Sequence, residues 1–371
     1  MNGRHVFCVL RDPVRHRMVP ALLAFVCLVQ PLIWSPAGAR LGAAELTDQQ
    51  VLDALTVEAP RDVAIRKGLE FLRTQQRPDG SLTANVPVAL TSLAIMAHLA
   101  AGETPEDAAV GPFLHKAIDA VLALQDQDGY FGSRDGSRMY GHGIATLMLA
   151  EVAGMSREPE FEERVRAALV RAVAVTVGAA QVPKDDNSKG GWHYTPDAHD
   201  ADLSLAGWQI MSLHAATQCG ISVPDGVITG AVDYARHLTT ADGKVGYNTP
   251  GDDHPALRGL AMMCFAIGHH EDDPACAHVA ARNRSDPIQW QGGWMFYRAY
   301  YDSVGMSRSA PGEWEAYGPV LEQVLVSHQN PDGSWPSPPG DDEGGQGAVY
   351  MTSMAILALA VNRHVLPAYQ R

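Results

Sequence analysis

Two kinds of helical pattern alternate along the chain. In the first kind one face is apolar and the other charged. Ile65, Gly68, Leu69 and Leu72 fall at i, i+3, i+4 and i+7, while Arg61, Arg66, Lys67, Glu70 and Arg73 take the other side. Val320, Leu321, Val324 and Leu325 form a similar stripe near the C-terminal end. The second kind is apolar nearly all round, over 88–100, 144–153, 203–216, 257–267 and 349–361. A helix apolar all round is buried all round. These runs are too long and too rich in Ala for strands.

A short phrase recurs between the two kinds. It reads Gln329-Asn330-Pro331-Asp332-Gly333-Ser334-Trp335, Gln76-Arg77-Pro78-Asp79-Gly80-Ser81-Leu82, and Gln125-Asp126-Gln127-Asp128-Gly129-Tyr130-Phe131. Weaker copies run from Gln181 to Gly190-Gly191-Trp192, over Asp242-Gly243-Lys244-Val245-Gly246-Tyr247, and over Gln291-Gly292-Gly293-Trp294. Six copies at intervals of roughly 40–60 residues mark a repeat protein. Asp-Gly predicts a turn, and the large apolar residue after it can pin that turn to its neighbour. Each repeat is then an outer helix, a turn and an inner helix. Stacked in a line, the inner helices would leave one face bare; closed into a ring, they would not. The expected fold is all-α, an α/α toroid of six inner and six outer helices over 61–362.

The phrase resembles the QW motif of the squalene-hopene cyclase and protein prenyltransferase superfamily. Lys67-Gly68-Leu69-Glu70-Phe71-Leu72, Gln75-Gln76 and Asp79-Gly80-Ser81 carry the likeness, with Leu82 where Trp is usual. It extends over about residues 60–362 and implies a terpenoid-cyclase-like ring. Class II terpene cyclases open an inner helix with Asp-x-Asp-Asp-Thr/Ser, whose middle Asp protonates an olefin. Asp200-Ala201-Asp202-Leu203-Ser204 is similar, except that Leu203 stands in place of a carboxylate. The resemblance implies Asp202 as an acid with Asp200 beside it. Read on its own, either Asp is equally a helix cap. Those cyclases are expected to hold their cavity between two helical domains, whereas this chain offers one ring.

Other chemistries of the superfamily find no match. Asp273-Pro274-Ala275-Cys276 has one residue too many for a zinc-binding Asp-x-Cys, and the 269–273 stretch reads as a solvated helix end. No Asp-Asp-x-x-Asp, thioester motif or phosphate loop is present. No metal and no cofactor is therefore expected.

In such a ring the inner-helix N-termini meet at one mouth. His142 joins Asp202 and Asp200 as a candidate catalytic residue there. Candidate ligand-binding residues are Tyr140, Trp192, Tyr194, Tyr247, Asp253, His254, Trp294 and Tyr297. Asp341-Asp342-Glu343 opens the last inner helix.

Charge narrows the partners. Lys and Arg total 28 against 42 Asp and Glu, a net charge of −14. Residues 1–39 pair a basic start (Arg4, Arg11, Arg15, Arg17) with an apolar core and the small-x-small triplet Ala37-Gly38-Ala39. They read as a cleaved signal peptide directing a secreted or periplasmic protein. Their removal takes four Arg and one Asp, moving the charge from −14 to −17. So acidic a chain repels nucleic acid and anionic lipid, and no stable membrane insertion follows cleavage. Cys219, Cys264 and Cys276 remain, too few for a disulfide framework. Residues 40–60 form a polar entry and 363–371 a tail.

The expected function is binding of a small apolar, isoprenoid-like ligand, with residual acid-catalysed isomerase or cyclase activity through the incomplete acidic motif. Two alternatives stand beside it. One is a secreted carbohydrate-active toroid, a lyase or hydrolase. The other is a non-catalytic protein- or peptide-binding module.

Overall fold

The computed structural model describes residues 58–340 and 342–363. The expected signal peptide, nearly all of the entry segment, Asp341 and the tail after its first residue lie outside the described residues. Among those described, twelve α-helices follow one another. They are α1 (Pro60–Thr74), α2 (Pro87–Ala100), α3 (Gly111–Leu122), α4 (Arg138–Val152), α5 (Pro159–Ala180) and α6 (Leu203–Gln218). Then come α7 (Asp225–Leu238), α8 (Pro255–Ile267), α9 (Pro274–Ser285), α10 (Met295–Arg308), α11 (Glu313–Val326) and α12 (Ala348–Ala360). The fold is an all-helical α/α toroid.

The two hydrophobic patterns become two layers. In α2 every residue from Val88 to Ala100 is buried, and α12 is buried from Val349 to Ala360. In α1 only Ala64, Ile65, Gly68, Leu69 and Leu72 are buried. The even-numbered helices pack side by side in the order α2, α4, α6, α8, α10, α12, and α12 returns to α2. No inner helix is left with a bare face, which the all-round apolar sequences require.

The recurring phrase joins each turn to the next outer helix. A methyl group added to Gly80 would lie 2.3 Å from the carbonyl oxygen of Lys116 in α3, and one on Gly333 would lie 2.2 Å from that of Lys67 in α1. Gly129, Gly190 and Gly243 meet α5, α7 and α9 in the same way. The recurring spacing of Gln serves the same joint. Gln76 Nε2 donates to the carbonyls of Gly80 and Phe113, and Gln125 Nε2 to those of Gly129 and Ala168. The apolar residue after the turn is buried at Leu82, Phe131, Trp192, Val245 and Trp335.

The fifth copy behaves differently. Gly292 faces open space, and Trp294 is 49% exposed instead of buried behind its turn. The α4 boundary also departs from the sequence reading, starting at Arg138 rather than Ile144. Gly141 and Gly143 interrupt the apolar run but belong in the helix. Gly143 lets the side chains of Trp208 and Gln209 in α6 approach closely.

Candidate functional site

Ring closure brings the N-terminal turns of the six inner helices around one cavity of about 720 Å³. Its apolar wall comes from Ala89, Leu90 and Leu93 of α2, Ile144 of α4 and Leu257 of α8. Aromatic rings dominate the remainder: Tyr140, Tyr194, Trp208, Tyr247, Trp294, Tyr297 and Tyr350. Trp208 stacks on Tyr300 with ring centroids 5.5 Å apart, so its indole is fixed from behind. The Tyr297 hydroxyl donates to the Ser204 carbonyl at 2.8 Å.

Three of the inner-helix N-termini are met by carboxylates. Asp135 accepts from Val88 N at the head of α2, at 2.9 Å. Asp202 accepts from Leu205 N at the head of α6, at 2.8 Å. Glu343 accepts from Phe296 N and Tyr297 N at the head of α10, at 2.7 and 2.9 Å, and from the Tyr350 hydroxyl at 2.5 Å. Each satisfies helix N–H groups that have no partner within their own helix.

Asp202 is wholly buried and does not itself line the cavity. It reaches the cavity through hydroxyls. Ser204 Oγ donates to Asp202 Oδ1 at 2.6 Å, and the Tyr140 hydroxyl lies 2.5 Å from Ser204 Oγ. Ser204 and Tyr140 both line the cavity. On the other side, His193 Nε2 stands 3.3 Å from Asp202 Oδ2, and its Nδ1 stands 3.0 Å from Asp200 Oδ1. Asp200 is exposed. Polar groups thus line the way from solvent to cavity, with Asp202 Oδ2 near His193 but itself without a hydrogen-bond partner. Burial raises the Asp202 pKa above the usual carboxylate value, outweighing Ser204, the Leu205 N–H, Tyr247 and His193, which all favour the charged form. Leu203 is buried at 1% exposure and brings no second carboxylate.

The structure distributes the other sequence candidates unevenly. Tyr140, Tyr194, Tyr247, His254, Trp294 and Tyr297 line the cavity. Trp192 does not; it is buried, with its indole N–H donating to the Thr176 carbonyl at 3.0 Å. Asp253 is held by Arg258 and Arg282 in an ionic cluster outside the lining. His142 departs furthest from the rim position expected of it. Its Nδ1 accepts from Phe131 N at 3.3 Å, so Nε2 carries the proton and donates to the Ala172 carbonyl and Thr176 Oγ1, both at 3.1 Å. Thr91 and Thr352 catch the backbone N–H of Leu82 and Trp335 in the same manner. His142 is therefore the second repeat's version of a turn clamp. Burial lowers its pKa to about 4, keeping it neutral.

Sequence reasoning did not single out Arg138, Gln346 or Tyr350, which also line the cavity together with Trp208. Backbone strain marks part of the same mouth. Four non-glycine residues among those described have positive φ, and three of them, Val86, Arg138 and Trp294, are lining residues at the starts of α2, α4 and α10. Such conformations cost about 1–3 kcal/mol each and persist where the surroundings over-determine them.

Among the described residues no cluster of His, Cys, Asp and Glu is arranged to hold a metal ion, and no helix is long and apolar enough to cross a membrane. Comparison with protein-family models and with curated protein sequences finds no match. Solved structures do match. A variant of the type II terpene cyclase MstE from Scytonema, in complex with merosterolic acid A as product, aligns with a TM-score of 0.55 at 17% identity, over 82% of this chain and 97% of that one. A protein from Actinoplanes aligns with a TM-score of 0.53 at 17% identity, over 81% and 98%. Another MstE variant, in complex with geranylgeranyl dihydroxybenzoate as substrate, gives 0.50 at 16% identity, over 81% and 97%. One ring spans nearly the whole of each neighbour, so the fold does not need the second helical domain that the sequence reading expected of such cyclases. The chain has the α/α toroid fold of a type II terpene cyclase.

Proposed function

We propose that the ring binds an apolar, isoprenoid-like molecule in the cavity at the heads of its inner helices. The carrying observation is the lining itself: seven aromatic rings and an aliphatic wall around about 720 Å³. That volume lies within the range of roughly 300–1,000 Å³ typical of small-molecule sites. Aromatic faces suit both an isoprenoid chain and any positive charge that develops on it. The complexes of MstE with isoprenoid substrate and product support the same ligand class by likeness of fold.

The finer part of the proposal concerns proton delivery. When Asp202 is protonated on Oδ1 its hydrogen bond with Ser204 reverses: Asp202 passes its proton to Ser204 Oγ, Ser204 passes its own to the Tyr140 oxygen, and the Tyr140 phenolic proton goes to an alkene carbon of the ligand. The carboxylate is left on Asp202 and the positive charge on the ligand. His193 and Asp200 exchange the Asp202 proton with solvent. With Leu203 in place of a carboxylate, this acid is weaker than one built from a complete motif, and the reaction it suits is isomerisation: one protonation of the alkene, then loss of a neighbouring C–H proton from the cation back through Tyr140 and Ser204 to the Asp202 carboxylate. We propose further that the protein acts outside the cytosol after loss of residues 1–39; a mature start near Arg40, read by mass spectrometry, tests that part.

Binding is tested by tryptophan fluorescence, since Trp208 and Trp294 line the cavity. Titration with farnesol and geranylgeraniol should give saturable quenching, and Trp294→Ala should weaken it without unfolding the ring. Folded protein that ignores both alcohols, yet binds an oligosaccharide panel, would sink the reading. Proton delivery is tested in D2O. Deuterium should enter the alkene carbons of a bound isoprenoid, and Tyr140→Phe should stop this while ligand still binds.

A further inference from the structure

The cavity lining contains one permanent cation, Arg138, and no carboxylate. This is unusual placement in a chain of net charge −14. The guanidinium carbon lies 5.8 Å from the centroid of the Tyr194 ring, itself a lining residue. No carboxylate among the described residues is paired with it. The nearest acidic residue in sequence, Asp135, is otherwise engaged. Its Oδ1 accepts from Ser137 N and Oγ at 2.9 and 2.6 Å, and its Oδ2 accepts from Val88 N.

Beyond its contact with the Tyr194 ring, no ion pair in the fold accounts for an arginine here. It is exposed, so its side chain fills no core position. It takes a left-handed φ of 56°, which glycine or asparagine adopts more readily. It opens helix α4, whose positive end disfavours a cation. Other arginines near helix ends have an acidic partner, as Arg258 and Arg298 on inner helices and Arg282 on an outer one do. An unpaired guanidinium that is strained and set against a helix dipole, at the edge of an aromatic cavity, points to a ligand.

We infer that the ligand carries an anionic head, a carboxylate or a phosphate, that Arg138 binds at the cavity mouth while the apolar chain lies along Leu90, Leu93, Ile144 and Trp208. A guanidinium pairs bidentately with either group, and the positive end of α4 adds to the attraction. This rests on the isoprenoid reading and narrows it from neutral hydrocarbons and alcohols to isoprenoid acids and phosphates.

The test compares three probes of one chain length: farnesol, farnesoic acid and farnesyl monophosphate. Dissociation constants are measured by fluorescence or calorimetry at low salt. At least one anionic probe should bind about tenfold tighter than the alcohol. Arg138→Gln should collapse that ratio toward one, and Arg138→Lys, which keeps the charge but loses the bidentate fork, should keep only part of it. The wild-type ratio should also shrink as salt is raised, a measurement that needs no substituted protein. Preference for the acid alone or the phosphate alone identifies the head group. An alcohol that binds as tightly as both anions overturns the inference and leaves the isoprenoid reading standing. A preference that survives in Arg138→Gln also overturns it. Failure of all three probes to bind overturns the isoprenoid reading and this inference with it.

Discussion

Gln329 donates from Nε2 to the carbonyl of Ala64 at 2.8 Å, joining residues 265 positions apart in the chain. The same nitrogen donates to Gly333 in its own turn at 2.9 Å. The last turn is thereby fastened to the first outer helix, and the ring closes. Gln329→Ala removes both bonds and leaves the Gly333 carbonyl without this partner. A loss of about 1–3 kcal/mol follows. It should appear as a lower denaturation midpoint at unchanged slope. A change within experimental scatter would show that packing of α12 on α2 closes the ring without this side chain.

Two turn glycines separate backbone strain from close packing. Gly333 has φ 90° and Gly292 has φ 88°, so alanine is strained at both. Only at Gly333 does the added methyl group also strike backbone, 2.2 Å from the Lys67 carbonyl oxygen. Gly292→Ala should cost about 1 kcal/mol, the ordinary penalty for a left-handed position. Gly333→Ala should cost several kcal/mol, on the order of a severe core overpacking. Equal losses, measured side by side in denaturant, would mean that the turn moves freely off α1.

His142 makes stability depend on pH. Its pKa is lowered from 6.5 to about 4 by burial. The unfolded chain therefore binds a proton more readily than the folded one between those values. Stability from this site is complete above about pH 6.5 and is lost as pH falls toward 4. His142→Gln, which removes the titrating group while keeping a polar side chain, should flatten that part of the curve. A wild-type stability that stays level from pH 7 to 4.5, compared with the variant by thermal denaturation, would contradict the neutral clamp.

The layers of the ring were legible because period and burial are written directly into the chain. Runs such as 88–100 have no polar face to expose, and the Gln, Gly and aromatic spacing sets the joint between repeats. Six of the eight ligand-binding candidates line the cavity because each stands near an inner-helix N-terminus. His142 occupies a similar sequence position but turns outward to α5, and no periodicity distinguishes the two directions. Trp294 was legible as a copy of the phrase, yet it alone among those aromatic or apolar residues is exposed. Arg138 was hidden by Gly141 and Gly143. These glycines break the apolar pattern and concealed that α4 begins at residue 138. Its left-handed φ leaves no trace in a single sequence.

Asp202 gives the last prediction, because its two roles respond oppositely to substitution. As a cap it accepts from Leu205 N, which asparagine can also do. As a buried acid it has a raised pKa. A raised carboxyl pKa contributes stability that is present below the unfolded value, near 3.8, and is lost as pH rises through the folded value. At neutral pH, well above the unfolded value, a carboxyl with a raised pKa costs stability that Asp202→Asn restores. That variant should be at least as stable as the wild type at pH 7, with its advantage gone below about pH 4. Asp202→Ala loses the cap and should be destabilised by about 1 kcal/mol. Thermal denaturation of both variants across pH separates these effects. If asparagine destabilises as much as alanine at pH 7, the carboxylate is stabilising there and its pKa is not raised. If asparagine stabilises the ring yet abolishes deuterium uptake into a bound isoprenoid, Asp202 is kept at the expense of stability for the proton it supplies.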